Sequence, residues 1–223
     1  MVRQKIASFF GVFYLAMMFC SPAWVSMAMI GLAATAVFDI DFRPFKFGLN
    51  RSFFKNLVVL KRPDYLAILA IFFIVLLSGF NSDSLDFWNK QINLKLPFLI
   101  LPIIFVNLPK LNERQFSNII YSFLIIATIA ATGTMINYVM DYAYITERIH
   151  NGTPIPTPIH HIRFSILMAI AVICGIWLRY TEYVFKYNWE KHLISFLTFF
   201  LFAVAHILSV KSGLASLYIA SGL

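Results

Sequence analysis

Basic and imidazole side chains cluster in one short stretch of this sequence. We expect a functional site there more than anywhere else in the chain. His160, His161 and Arg163 follow a segment in which three prolines alternate with other residues between positions 154 and 158. Each proline fixes its own φ and disfavours helix at the residue before it, so we expect a stiff, extended strut. Apolar residues continue from Phe164, which predicts that the three side chains stand where a helix begins.

A helix start of this kind is suited to binding an anion. Free backbone N–H groups and the positive end of the helix dipole favour negative charge, and a guanidinium adds paired donors that match phosphate oxygens. The pattern therefore indicates a phosphate or diphosphate site at Arg163. The alternative is that Arg163 is only an interfacial anchor and that the histidines are solvated, since bases flank most membrane spans. A metal site is not expected, because His160 and His161 are adjacent and no Asp or Cys stands at ligand spacing.

A histidine and two prolines within apolar runs each have more than one interpretation. His206 lies within an apolar run, so it is either a proton relay or substrate contact, or a histidine satisfied by a neighbouring helix. Pro97 and Pro102 are expected to interrupt the span that contains them and to bend or shorten it, as in the broken helices of transporters and of many other folds.

The elements that position these residues follow from the composition. Of the 223 residues, 60% are hydrophobic and only 13% are charged, with a mean hydropathy of +0.78. Soluble domains carry about 25% charged residues, so a soluble domain is excluded, as is a disordered chain.

Cys20 and Cys174 both lie in apolar runs, which excludes a disulfide scaffold and a zinc module. The net charge of +8 is attributed to membrane topology and contact with lipids rather than to nucleic acid.

We predict an all-α, polytopic integral membrane helix bundle that forms a single membrane domain over residues 1–223. A bilayer crossing takes about 20 apolar residues. The sequence offers seven spans and an eighth segment, Gly213–Leu223, of half that length; the seven are Ile6–Cys20, Ala23–Phe38, Tyr65–Phe80, Leu96–Leu108, Phe116–Met140, Phe164–Leu178 and Leu193–Val210. We therefore expect either the N-terminal part of a longer protein or a truncated gene.

The bases between the spans predict the orientation. Five of them lie on one side of the predicted spans: Lys90, Lys95, Arg148, Arg163 and Lys211. The other thirteen lie on the opposite side: Arg3, Lys5, Arg43, Lys46, Arg51, Lys55, Lys61, Arg62, Lys110, Arg114, Arg179, Lys186 and Lys191. Because cytoplasmic loops collect Lys and Arg, the N-terminus is predicted to be cytoplasmic and the loop of residues 141–162 to be outside.

Four short stretches, read together, have a family likeness. They are Ser-Pro-Ala-Trp-Val-Ser at 21–26, Lys-Leu-Pro-Phe-Leu-Ile-Leu-Pro at 95–102, His-His-Ile-Arg-Phe-Ser at 160–165 and Ser-Val-Lys-Ser-Gly-Leu at 209–214. This combination resembles the bacterial O-antigen ligase family, also described as the O-antigen polymerase-like or Wzy_C superfamily. In the last stretch Lys211 stands where the family has an arginine, and lysine lacks the planar fork that grips phosphate.

The resemblance implies a glycosyltransferase of the bacterial inner membrane that needs neither metal nor cofactor. Such enzymes transfer a glycan from an undecaprenyl-diphosphate carrier to an acceptor such as lipid A-core on the periplasmic face. It implies diphosphate binding by Arg163, with Arg148, His160, His161 and Lys211 as further candidates. The general base is expected in a periplasmic loop beyond Leu223, so no catalytic residue is assigned, and the 223 residues alone are not expected to form a competent ligase.

Other function classes stay open. The chain is a ligase or a polymerase, which share the donor chemistry, or it is a transporter or channel subunit that uses the fourth span and His206. A third possibility is a noncatalytic membrane scaffold. The sugar, the acceptor and the oligomeric state have no signal in the sequence.

Overall fold

Helices make up most of the described chain in the computed structural model, which describes residues 2–42, 45–50, 52–81, 84–151, 153–181, 187–208 and 211–222. Within these ranges the side chains of residues 40–42, 45–47, 188, 211, 212 and 221 are not described. The chain divides into two compact units. The first contains Met1–Phe10 and Met27–Lys110, and the second contains Gly11–Ser26 and Leu111–Leu223.

The elements up to residue 107 begin and end at recognisable residues. Proline is the first residue of α2 and of α4, a position at which its missing N–H costs nothing. Ser84 caps α5 by accepting a hydrogen bond from the Phe87 N–H. The elements are α1 (Val2–Met17), α2 (Pro22–Val37), β1 (Phe38–Phe42), β2 (Phe45–Leu49), α3 (Phe53–Asn56), a 3₁₀ turn (Leu57–Lys61), α4 (Pro63–Leu77), a second 3₁₀ turn (Ser78–Asn81) and α5 (Leu85–Asn107).

Arg3 makes hydrogen bonds to several elements of the first unit. Its guanidinium donates to the main-chain oxygens of Thr35 (2.8 Å) and Ala36 (3.2 Å), near the end of α2, and of Asn107 (2.9 Å), the last residue of α5. It also donates to a carboxylate oxygen of Asp39 at 2.5 Å. The last carbonyls of a helix have no partner within the helix, so Arg3 supplies donors to two helix ends at once. Four of its contacts therefore join α1, α2, β1 and α5.

The second unit is built around α8. Its helices are α6 (Glu113–Met140), α7 (Tyr142–His150), α8 (His161–Tyr180), α9 (Asn188–Ile207) and α10 (Lys211–Ser221). The α8 side chains Phe164, Met168 and Leu178 are fully buried, together with Leu124 of α6 and Leu201 of α9. A short connection makes α8 and α9 neighbours, and Gly175 lets them approach because a Cβ there would collide with Thr198. The helix that carries the candidate residues is thus the most buried one of this unit.

The structure supports the membrane prediction in a coarser form. Within the described residues, four helices are long and apolar enough to cross a bilayer: Pro63–Asn81, Glu113–Met140, His161–Tyr180 and Trp189–Ile207. Pro22–Val37 is a shorter apolar helix. These long apolar helices indicate a membrane protein. A helix also covers most of each of the other predicted spans, but seven crossings remain a prediction.

Contrary to the sequence prediction, the prolines neither interrupt nor shorten the helix of the fourth span. The helix α5 is continuous over 23 residues, and both Pro97 and Pro102 lie inside it. It begins eleven residues before the predicted start at Leu96, with Ser84 as its cap. An apolar helix in a membrane tolerates a proline, because neighbouring groups and local adjustments satisfy the backbone carbonyls that the proline leaves free.

Two local elements were not anticipated. The predicted basic connection after the second span contains the hairpin of β1 and β2, which pair antiparallel from Phe38 opposite Leu49 to Phe42 opposite Phe45. The loop 141–162 begins with the nine-residue helix α7. Both are short elements whose sequence patterns extend over too few residues to distinguish them from loops.

Candidate functional site

His160, His161 and Arg163 stand at the start of α8, as the sequence predicts. His160 is the N-cap residue, and its carbonyl accepts a hydrogen bond from the Phe164 N–H at 3.0 Å. The first turn of α8 contains no acidic residue, so its free N–H groups and its positive dipole end are not neutralised there. Arg163 is exposed, whereas Phe164 and Ser165 are buried on the other side of the same turn.

The two histidine rings stack on each other. Their centroids are 4.5 Å apart and the ring planes make an angle of 27°. His160 is exposed and His161 is half-buried, so the pair lies at the surface of the helix start rather than in the core. The ring nitrogen atoms thus lie at the surface of the same helix start that carries Arg163.

The proline-containing strut is fixed at both ends. At its start, the N–H and the hydroxyl of Thr153 both donate to the carbonyl of Arg148 in the last turn of α7, at 2.9 and 2.6 Å. Ile155 is buried at 8% exposure, and Ile159 packs against the core of the second unit. No helix forms between residue 153 and His160. The apolar anchors therefore hold the strut and set the position of the α8 start.

Arg148 is placed by its own helix. Its guanidinium lies over the ring of Tyr144, 5.7 Å from the centroid, one turn earlier in α7. Ile145 on the same helix is buried at 1% exposure, which anchors α7 to the unit. Among the described residues, no hydrogen bond or ion pair connects Arg148 with the start of α8. The structure therefore leaves Arg148 as a candidate without bringing it into contact with the others.

The start of α10 lies against the start of α8. Gly213, three residues into α10, packs so closely on Ser165 that a Cβ would come within 2.6 Å of its Oγ and 2.9 Å of its carbonyl carbon. The contact brings together two of the four stretches singled out in the sequence. Lys211 is the first residue of α10, and its side chain lies outside the described part of the structure. The first turn of α10 also contains no acidic residue.

The His206 side chain connects two helices. Its Nδ1–H donates to the Phe202 carbonyl of the same helix at 2.8 Å, since a carbonyl can only accept. Its Nε2 lies 2.7 Å from the hydroxyl of Tyr218 on α10, and in the neutral ring it accepts that O–H. This arrangement corresponds to the interpretation in which a neighbouring helix satisfies the histidine.

Taken together, the start of α8 with its first-turn N–H groups, the Arg163 guanidinium and two imidazoles, packed against the start of α10, is suited to an anion with several oxygens. Within the described residues, no three His, Cys, Asp or Glu side chains lie close enough together to hold a metal ion. An arrangement of this kind is suited to binding a phosphate or diphosphate and to stabilising its charge.

Comparison with known protein families, with curated proteins and with solved structures gives no match for this chain.

The contact between Gly213 and Ser165 was not predicted from the sequence. The signal for it is a small residue in each of two apolar helices, because small residues let helix backbones approach closely in membranes. That signal does not say which pair of small residues will meet. The network around Arg3 was missed for a similar reason, since the sequence shows only a base that is typical of a cytoplasmic terminus.

Proposed function

We propose that this chain is a membrane glycosyltransferase-like protein of cell-envelope polysaccharide assembly, similar to O-antigen ligases. In this proposal the start of α8 binds the diphosphate of an undecaprenyl-diphosphate-linked glycan. The observation that carries the proposal is the packing of Gly213 on Ser165, which sets two helix starts side by side. Each start has a base in the sequence, Arg163 or Lys211, and neither has an acid in its first turn.

The proposed reaction makes the diphosphate the leaving group. A hydroxyl of lipid A-core or a similar acceptor attacks the anomeric carbon, and the bond between that carbon and the diphosphate oxygen breaks. The diphosphate leaves with the electron pair, while the hydroxyl proton passes to a general base that is not assigned among these residues. Arg163 and the helix N–H groups stabilise the charge that develops on the leaving oxygen, so the cationic donors act without a metal.

We further propose the bacterial inner membrane as the location, with seven crossings and a cytoplasmic N-terminus. The support is the distribution of the 18 Lys and Arg residues, of which thirteen fall on the predicted cytoplasmic side. A reporter enzyme that is active only outside the cytoplasm checks this orientation. Fusion after Thr157 is expected to give activity and fusion after Lys110 to give none; the reverse pattern contradicts the proposal.

Donor binding is the direct test of the site. The purified chain in liposomes is expected to bind undecaprenyl diphosphate more tightly than undecaprenol, which has the same lipid without the charge. Arg163→Ala is expected to weaken binding of the diphosphate about tenfold or more, because a hydrogen bond to a charged group contributes about 1.5–3 kcal/mol. Arg163→Lys is expected to be intermediate, since the charge remains but the paired donors do not.

The control is Arg114→Ala, which removes an equally exposed base from the start of α6. It is expected to leave the preference for the diphosphate unchanged. Equal binding by wild type and Arg163→Ala contradicts the diphosphate site, and so does a loss of the same size in the control.

The transporter or channel alternative has less structural support. It relied on a broken fourth span and on His206 as an ionisable group within an apolar run. The helix α5 is continuous through both prolines, and His206 is bonded to Phe202 and Tyr218. The noncatalytic scaffold is separated from the proposed function by the binding experiment, because a scaffold has no reason to prefer the diphosphate.

A further inference from the structure

A groove between α8 and α9 lies toward the end of α8, away from the Arg163 site. Its volume is about 300 Å³, and its lining includes Val172, Ile176 and Arg179 of α8 with Ser195, Phe199 and Phe202 of α9. This volume is at the lower end of the range for ligand pockets. Several lining side chains are exposed, such as Phe199 at 69%, so the groove opens on the outer surface of the helix pair.

The charged side chain of the groove lies at one end. Arg179 lies in the last turn of α8 and is exposed, and among the described residues no carboxylate pairs with it. The hydroxyls of Ser195 and Thr198 donate within α9, to the carbonyls of Lys191 and Ile194. Arg179 is therefore the main charged donor that the groove offers, and Lys191 adds a second exposed base at the same end of the helix pair.

Exposed aromatic side chains surround this end. Trp177 and Tyr180 lie in the last turn of α8, and Tyr187 and Trp189 lie at the start of α9. Trp and Tyr collect at the boundary between hydrocarbon and water, which places Arg179 at the level of the lipid headgroups. The apolar part of the groove runs from there along two helices that are long enough to cross the bilayer.

We propose that this groove binds one anionic phospholipid of the leaflet on that face, predicted to be cytoplasmic. The phosphate contacts the Arg179 guanidinium, and one acyl chain lies between Ile176 of α8 and Phe199 of α9. Charge complementarity selects an anionic headgroup, and the apolar lining requires a chain rather than a free phosphate. Gly175 forms the floor, where α8 touches Thr198. The site is independent of the transferase function proposed above.

Native mass spectrometry of the full chain in detergent tests the headgroup contact, with dioleoyl phosphatidylglycerol and dioleoyl phosphatidylcholine as the added lipids. One phosphatidylglycerol is expected to be retained at collision energies that remove phosphatidylcholine. Arg179→Gln is expected to lower the preference for phosphatidylglycerol about fivefold, the effect of one base near an anionic lipid surface. Arg114→Gln, at the start of α6 in the same unit, is the control and is expected to keep the preference.

A second variant tests the chain contact. Ser195→Trp fills the groove at an exposed position and is expected to lower retention of both lipids, whereas Thr132→Trp on the exposed side of α6 is expected to have no effect. Circular dichroism of each variant establishes that its helices are intact. The proposal is overturned by equal retention of the two lipids in the wild type, by equal effects of the two arginine variants, or by unchanged retention in Ser195→Trp.

Discussion

Replacing Arg3 tests whether a base near the N-terminus acts mainly through backbone carbonyls or through its ion pair. The Arg3 side chain is 19% exposed, and three of its hydrogen bonds go to main-chain oxygens near the ends of α2 and α5. The remaining one goes to Asp39, which is 53% exposed. The expected outcome is that Arg3→Ala is strongly destabilising, while removal of Asp39 is not.

The magnitudes follow from these exposures. A net contribution of about 1–1.5 kcal/mol for each of three carbonyl contacts gives a loss of about 3–4.5 kcal/mol in the free energy of unfolding for Arg3→Ala. Asp39→Ala is expected to cost about 1 kcal/mol or less, because solvent screens an exposed pair. Arg3→Lys keeps the charge but not the fork, so we expect a loss of about 2 kcal/mol.

Unfolding by sodium dodecyl sulfate in mixed micelles, followed by circular dichroism at 222 nm, measures these free energies. The matched control is Lys5→Ala, which removes an equal charge from the same helix at an exposed position. It is expected to change stability by about 0.5 kcal/mol or less. Equal losses for Arg3→Ala and Asp39→Ala would show that the ion pair dominates. Equal losses for Arg3→Ala and Lys5→Ala would show that the carbonyl contacts contribute nothing.

Three glycine substitutions separate close helix packing from helix propensity, with the same unfolding assay. Gly175→Ala is expected to destabilise by about 1 kcal/mol, because overpacking against Thr198 exceeds the propensity gain, and Thr198→Ala should recover part of that loss. Gly213→Ala is expected to cost more, about 2 kcal/mol, since the backbone of Ser165 cannot move aside as a side chain can; a neutral effect contradicts the packing of α10 on α8. Gly133→Ala is the control and is expected to be neutral or stabilising by about 0.5–1 kcal/mol, because nothing lies within 4 Å of the added Cβ.

Much of the architecture could be predicted because apolar content and length are properties of a segment by itself. The helix at 116–140 and the helix start before Phe164 follow from hydropathy and from the prolines before it, and α6 and α8 lie there. The error at α5 has a physical cause. Proline lacks an N–H wherever it occurs, but whether a helix continues through it depends on what surrounds the freed carbonyls, which only the folded chain supplies.

The candidate site divides in the same way. The sequence by itself determined that the chain is a membrane protein and that His160, His161 and Arg163 stand at a helix start, since local patterns encode both. Only the tertiary structure decided that α10 begins against this start, with Gly213 on Ser165. Contact between residues that are distant in the chain depends on which faces pack together, and small residues permit such a contact without specifying it.

The same distinction holds for the single charges. From the sequence, Arg3 and Arg179 are simply two of the thirteen bases on the predicted cytoplasmic side, because the distribution of bases between loops is a property of sequence position. The tertiary structure gave them different surroundings: Arg3 is enclosed by carbonyl oxygens, whereas Arg179 is exposed at the end of an apolar groove. A charge acquires a specific role only when folding sets its neighbours, and those neighbours come from other segments of the chain.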